Sequence, residues 1–179
     1  MGRIVPGISS LHQHQKSLAS NPERYRPERC PHCGSAGPWS HGSYTRKADR
    51  EGEGKESLNP VAIPRFYCPS CRATCSRLPE CVAPHRWYGW AMQQAVLVLL
   101  LAGTSIRAVS RAGLVSRRTV GRWWRWLHER FVVHGFHLRS LSPGLGRCAQ
   151  LIPFWSAALQ RHALSIWMGS LDRLQVAVP

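Results

Sequence analysis

CPHCGSAGPWSHGSYT, residues 30–45, and VAIPRFYCPSC, residues 61–71, decide the fold of the first half of this chain. Each stretch joins a Cys-x-x-Cys turn to a strand-like run. Structural zinc takes about four ligands in a tetrahedron, and each tight turn presents two thiolates, so folding has only to bring the turns together. Cys30, Cys33, Cys68 and Cys71 are therefore the candidate metal ligands. Pro31 and Pro69 stiffen the turns, and Gly34 is free to take a positive φ just after the first pair. The runs WSHGSYT and VAIPRFY read as two strands that pair in a hairpin. Between them lies RKADREGEGKESLN, Arg46 to Asn59, a solvated loop carrying Asp49, Glu51, Glu53 and Glu56 and nothing large and apolar. The loop accounts for a separation longer than the roughly 15–20 residues usual between such pairs. Thioredoxin-like redox pairs open a helix in a βαβ unit, a setting neither turn has. His32 and His41 read as hairpin surface residues, and Cys75, Cys81 and Cys148 as packed thiols. A segment this small has too little apolar area to fold unaided, whereas zinc contributes on the order of 10 kcal/mol.

Downstream the periodicity changes. From Pro84, HRWYGWAMQQAVLVLLLAG has helical length and stops at Gly103. Ser105 caps a second, shorter helix with Ile106, Val109 and Ala112 on one side and Arg107, Ser110 and Arg111 elsewhere. Gly113, Leu114 and Val115 form a turn. Ser116 then caps a third helix whose apolar stripe is Val120, Trp124, Leu127 and Phe131. If that stripe faces a core, Arg117, Arg118, Gly121, Arg122 and Arg125 face outward. A helix fits the major groove, and helix-turn-helix proteins touch base edges with its first turns, where Arg117, Arg118 and Arg122 lie. Gly121 lets the backbone approach closely. Arg107, Arg111, Arg125 and Arg130 suit phosphates. Trp123, Trp124 and Trp126, at helical spacing, read as core rather than as stacking platforms for single strands.

Composition points the same way. The 179 residues carry 24 Lys+Arg against 9 Asp+Glu, a net charge of +15, which makes nucleic acid the first partner to consider. All but three of those basic residues are arginine, so their position matters more than their number. A hydrophobic content of 44% with eight tryptophans excludes a wholly disordered basic tail. The length leaves room for one or two domains and none for a large catalytic domain beside a binding module. The longest apolar run, Ala95–Ala102, falls far short of the roughly 20 residues of a spanning helix. The opening MGRIVPGISSLHQHQK has no signal-peptide block, which makes the cytoplasm the expected location. The expected architecture is α+β: a mobile basic arm over residues 1–29, a zinc ribbon over 30–81, a three-helix helix-turn-helix domain over 84–131, and a weakly helical tail over 132–179, interrupted by Gly135, Pro143, Gly144 and Pro153.

SIRAVSRAGLVSRRTVGRW, following CPHCG and RFYCPSCRATCSRLPE, resembles the N-terminal DNA-binding region of bacterial insertion-sequence transposases and transposase-like proteins. The resemblance covers Cys30 to Leu127. It implies a zinc ribbon followed by a helix-turn-helix, zinc at Cys30, Cys33, Cys68 and Cys71, duplex DNA contact from Ser116 onward, and a place on the bacterial nucleoid. The family's turn more often reads Leu-Gly-Val-Ser, whereas Gly113 here precedes Leu114, and Cys75 replaces a more usual apolar or aromatic residue. Such transposases cut DNA with three carboxylates holding two metal ions. After Cys81 this chain has only Glu129 and Asp172, so DNA binding without cleavage chemistry is the expectation. A second copy or a separate catalytic transposase chain is then a candidate partner. The alternatives are an active or truncated transposase and a zinc-ribbon adaptor for protein interactions.

Overall fold

The computed structural model describes residues 3–47, 58–84, 88–113 and 115–178. It divides into two units, residues 1–89 and 90–179. The architecture is α+β, with the strands in the first unit and most of the helix in the second.

The hairpin forms where the alternation places it. Strand β1 is Ile4–Val5, helix α1 is Leu11–Ser20, a 3₁₀ turn follows at Pro22–Tyr25, and the sheet strands are β2 (Trp39–Arg46), β3 (Val61–Tyr67), β4 (Thr74–Cys75) and β5 (Leu78–Pro79). β2 and β3 run antiparallel from Trp39↔Tyr67 to Arg46↔Val61, with a bulge between Ser40 and Ser43 where Gly42 takes a φ of 71°. β4 adds to the free edge of β3. β3 is covered on both faces: Val61 and Ile63 pack with Leu78 and Val82, and Phe66 packs with Val5, Ile8 and Tyr25. Of the acidic loop, residues 48–57 lie outside the described residues; Arg46 closes β2, and Leu58 packs beneath Val61 and Ile63.

Residues 1–29, expected as a mobile arm, instead belong to this unit. Ile4 and Val5 pair in parallel with Leu78 and Pro79. Val5, Ile8 and Tyr25 pack on Phe66. Ser10 caps α1 by accepting from the Gln13 N–H, and Glu80 accepts the Gly7 N–H at 3.0 Å. His14 is fully buried, with Nε2 2.8 Å from the Ala62 carbonyl and Nδ1 2.6 Å from the Tyr25 hydroxyl. A carbonyl only accepts, so Nε2 carries the proton and Nδ1 accepts from Tyr25. Burial holds His14 below its ordinary pKa and pushes Tyr25 up to about 12, which keeps both groups neutral. The segment shows no periodicity because its anchors are isolated residues whose partners lie far along the chain. Cys75 and Cys81 sit half-buried against the two apolar clusters, as packed thiols.

The second unit is helical: α2 (Trp90–Leu101), α3 (Ile106–Arg111), α4 (Arg117–Glu129), α5 (Phe131–Leu141), α6 (Leu151–Arg161) and α7 (Leu164–Arg173). α2 begins at Trp90, later than expected from Pro84, and residues 85–87 lie outside the described residues. It packs against α3, α4, α6 and α7, burying Trp90, Val96, Leu97, Leu100 and Leu101, while Val98 and Leu99 on its other face are exposed. No helix among the described residues is long and apolar enough to cross a membrane.

The weakly helical tail is a second correction. α5, α6 and α7 bury Leu138, Phe154, Trp155, Ala158, Leu164, Trp167, Met168 and Leu171. Pro153 falls in the first turn of α6, where backbone N–H groups have no intrahelical acceptor, and Pro143 opens a 3₁₀ turn. Both prolines lie in opening turns and do not interrupt the helices. The Trp167 indole donates to the Ala158 carbonyl at 2.8 Å, and Gln94 accepts the Leu164 N–H at 2.7 Å, which ties α7 to α2.

Candidate functional site

The two Cys-x-x-Cys turns fold as copies of one another. In the first, the Gly34 N–H donates to the Cys30 carbonyl at 2.9 Å and the Cys30 N–H to the Ser35 carbonyl at 2.7 Å. In the second, Arg72 donates to Cys68 at 2.8 Å and Cys68 to Ala73 at 2.9 Å. The fourth residue after each leading cysteine turns left-handed, Gly34 with φ 75° and Arg72 with φ 59°. Only Gly34 stands out in the sequence; Arg72 becomes legible once the turns are aligned.

This local geometry aims all four sulfurs at one point. Cys30 Sγ lies 3.6 Å from Cys71 Sγ, and Cys33 Sγ 3.6 Å from Cys68 Sγ, with all four within 4.8 Å of one another. A tetrahedral ion with metal–sulfur bonds of about 2.3 Å separates its sulfurs by about 3.8 Å, so the cluster is close enough to hold a metal ion and is compatible with zinc. Cys30 and Cys68 are buried, and Cys33 and Cys71 lie at the surface. Hydrogen bonds from Ser35 bring Cys33 down to about 6, and the Cys71 backbone N–H lowers Cys68. At Cys71 the Ala73 backbone N–H pulls downward, but desolvation and the bonds to Cys33, Cys30 and Cys68 outweigh it and push the thiol up to about 12. Four thiols this close cannot all ionise without a cation among them, and a divalent ion would displace the remaining protons. His32 and His41 are exposed and outside the cluster; the His41 ring sits against Tyr67 instead.

In the helical unit, Ser105 accepts from the Ala108 N–H at 3.2 Å and Ser116 from the Thr119 N–H at 3.4 Å, the two caps read from the sequence. Gly113 has φ 92°, Leu114 lies outside the described residues, and Val115 is buried. The buried residues of α4 are Val120, Trp123 and Leu127. Trp123 thus takes the core position expected for Trp124, which is half-buried with its ring 4.4 Å from His128. Trp123 and Trp124 flank the Val120–Leu127 line by similar angles, so period alone does not choose between them. Phe131 begins α5 and meets Phe154 edge-on at 5.5 Å. On α3, Val109 is buried and Ile106 half-buried, but Ala112 is exposed because it lies past the last turn.

Arg107, Arg111, Ser116, Arg117, Arg118, Arg122 and Arg125 are all exposed, and Gly121 is half-exposed with open space where a Cβ would stand. Among the described residues, no salt bridge involves the six guanidinium groups on α3 and α4.

A model of the family described as a domain of unknown function, DUF6431, matches residues 30–123, just over half of the chain. The chain belongs to that family. The DUF6431 match opens on the first of the four clustered thiols and closes on the buried tryptophan of α4, so it takes in the whole sulfur cluster, α2, α3 and the first half of α4. No curated protein and no solved structure matches the chain.

Proposed function

We propose that this chain is a zinc-dependent, duplex-DNA-binding protein of transposase-like, mobile-element origin that lacks cleavage chemistry of its own. Zinc on Cys30, Cys33, Cys68 and Cys71 holds the first unit folded, and α4 enters the major groove. Arg117, Arg118 and Arg122 read base edges, while Arg107, Arg111 and Arg125 hold phosphates.

One observation carries the reading. Arg117 and Arg118 occupy the first turn of α4, which holds no acidic residue. Cations there oppose the helix dipole at a cost of about 0.3–1 kcal/mol each, which no salt bridge among the described residues offsets, whereas an approaching phosphate reverses the sign. Glu129 and Asp172, the carboxylates after Cys81, are too few for a two-metal transposase centre, so a separate catalytic chain or a second copy completes any transposition reaction. The nucleoid is the corresponding location.

The test compares two substitutions on selected and random duplexes. Arg118→Ala should cost about 1–3 kcal/mol on the best site and relax base preference, while Arg107→Ala should weaken all duplexes alike. Equal losses for both variants on both DNAs would refute the assigned roles. Strand cleavage by the purified chain with Mg²⁺ or Mn²⁺ would make it an enzyme instead.

A further inference from the structure

The ribbon carries a surface that the α4 reading leaves unused. Trp39, the first residue of β2, is 62% exposed, an unusual position for the largest apolar side chain in a unit short of core. It pairs across the sheet with Tyr67, so the two rings project from one face, and Tyr67 pairs in turn with Thr74 on β4. The His41 ring lies 5.6 Å from that of Tyr67, tilted by 38°. Arg65, on the same strand as Tyr67, is exposed.

The charged side chains on the strands and turns that carry this aromatic row are cationic, and Glu28 is the acid bonded nearest to it through its backbone, at Gly37. Arg29, Arg65 and Arg72 are exposed on the segments that form this end of the sheet, with the Arg65 guanidinium 5.4 Å from the centroid of the Tyr44 ring, whereas Arg46 lies at the other end of the hairpin and donates to the Ala83 carbonyl. Flat π surfaces set among guanidinium groups suit a polyanion that also offers flat apolar faces. Unpaired nucleobases on a phosphate backbone have both properties; a stacked duplex hides its base faces.

We propose that the Trp39–Tyr67 face of the ribbon binds single-stranded nucleic acid by base stacking, as a second contact distinct from the duplex contact assigned to α4. The proposal does not rest on the α4 reading. Trp39 takes the first base and Tyr67 with His41 the next, while Arg65 meets the phosphates between them.

The experiment uses the full-length, zinc-loaded chain with a fluorescent oligothymidine of about 20 nucleotides and a hairpin duplex of matching length, both read by anisotropy. Trp39→Ala should lose single-strand affinity by at least about five-fold, and Trp39→Phe should retain most of it, with duplex affinity changed less than about two-fold in both. Arg118→Ala should show the reverse pattern. The exposed position of Trp39 lets both variants fold, which metal content and circular dichroism verify. The proposal is overturned if the wild-type chain ignores the oligothymidine, if Trp39→Ala binds it as well as wild type, or if Trp39→Ala and Arg118→Ala lose the same amount on both probes. Loss of duplex binding alone in Arg118→Ala, with Trp39→Ala unaffected on single strands, would leave the α4 reading standing and remove this one.

Discussion

The first unit packs two small clusters, one around Phe66 and one around Ile63, whereas the second buries Trp123, Trp155, Phe154 and Leu127 in a helical core that α2 shares with α4, α6 and α7. What the first lacks in apolar area it makes up by bringing four thiols from two matching turns to one point. One unit of this chain therefore answers to metal and the other to side-chain volume, and each should fail without taking the other's chemistry with it.

The largest effect expected is at a buried ligand. Cys68→Ala should abolish metal binding and remove stabilisation on the order of 10 kcal/mol, unfolding the first unit. In an amide NMR spectrum, resonances of residues 90–178 should persist while those of 3–84 collapse; collapse of both sets would erase the distinction. Trp155→Ala is the converse. Trp155 is fully buried, so its loss should cost the helical unit about 3–5 kcal/mol in denaturant unfolding while bound zinc stays at one ion per chain.

Acid should also separate the units. Burial, the largest influence, brings His134 down from its ordinary 6.5 to about 4, with Nε2 bonded to the Ala177 carbonyl at 3.1 Å. The native helical unit therefore keeps His134 neutral while the unfolded chain takes up a proton, so stability falls as pH drops from about 6.5 towards 4. The loss by pH 4 is on the order of 3 kcal/mol. His134→Leu should flatten that slope in chemical denaturation at a series of pH values. The smallest effect lies at Gly121. A Cβ there meets nothing within 4 Å, so Gly121→Ala should stabilise α4 by about 0.5–1 kcal/mol. Calorimetry should show a higher Tm and anisotropy a weaker grip on duplex DNA, because the added methyl stands where the groove is proposed to approach. Unchanged duplex affinity would remove Gly121 from the interface.

The elements legible in the sequence were those specified by neighbours in the chain. Two Cys-x-x-Cys turns, an alternating hairpin, and serines at two helix starts are local signals, and they led to β2, β3, the thiol cluster, α3 and α4. The order of the arm and the tail is non-local and leaves no local signal. Ile4 finds Leu78, and His14 finds Ala62, pairings that no window of sequence shows. Pro153 and Pro143 suit helix starts as well as stops, and only the packing of Phe154 and Trp155 tells which. The choice between Trp123 and Trp124 likewise depends on what lies opposite α4.

Contact between a duplex and the arginines of α3 and α4 is the proposal on which the functional reading depends. Its most direct test is the affinity of the zinc-loaded chain for duplex DNA across a range of salt concentrations. Each neutralised phosphate contributes a slope of about −0.9 in log–log terms, so the phosphate contacts assigned to Arg107, Arg111 and Arg125 predict a slope of about −2.7 or steeper. A line that stays flat, or no binding at the lowest salt, would contradict the account.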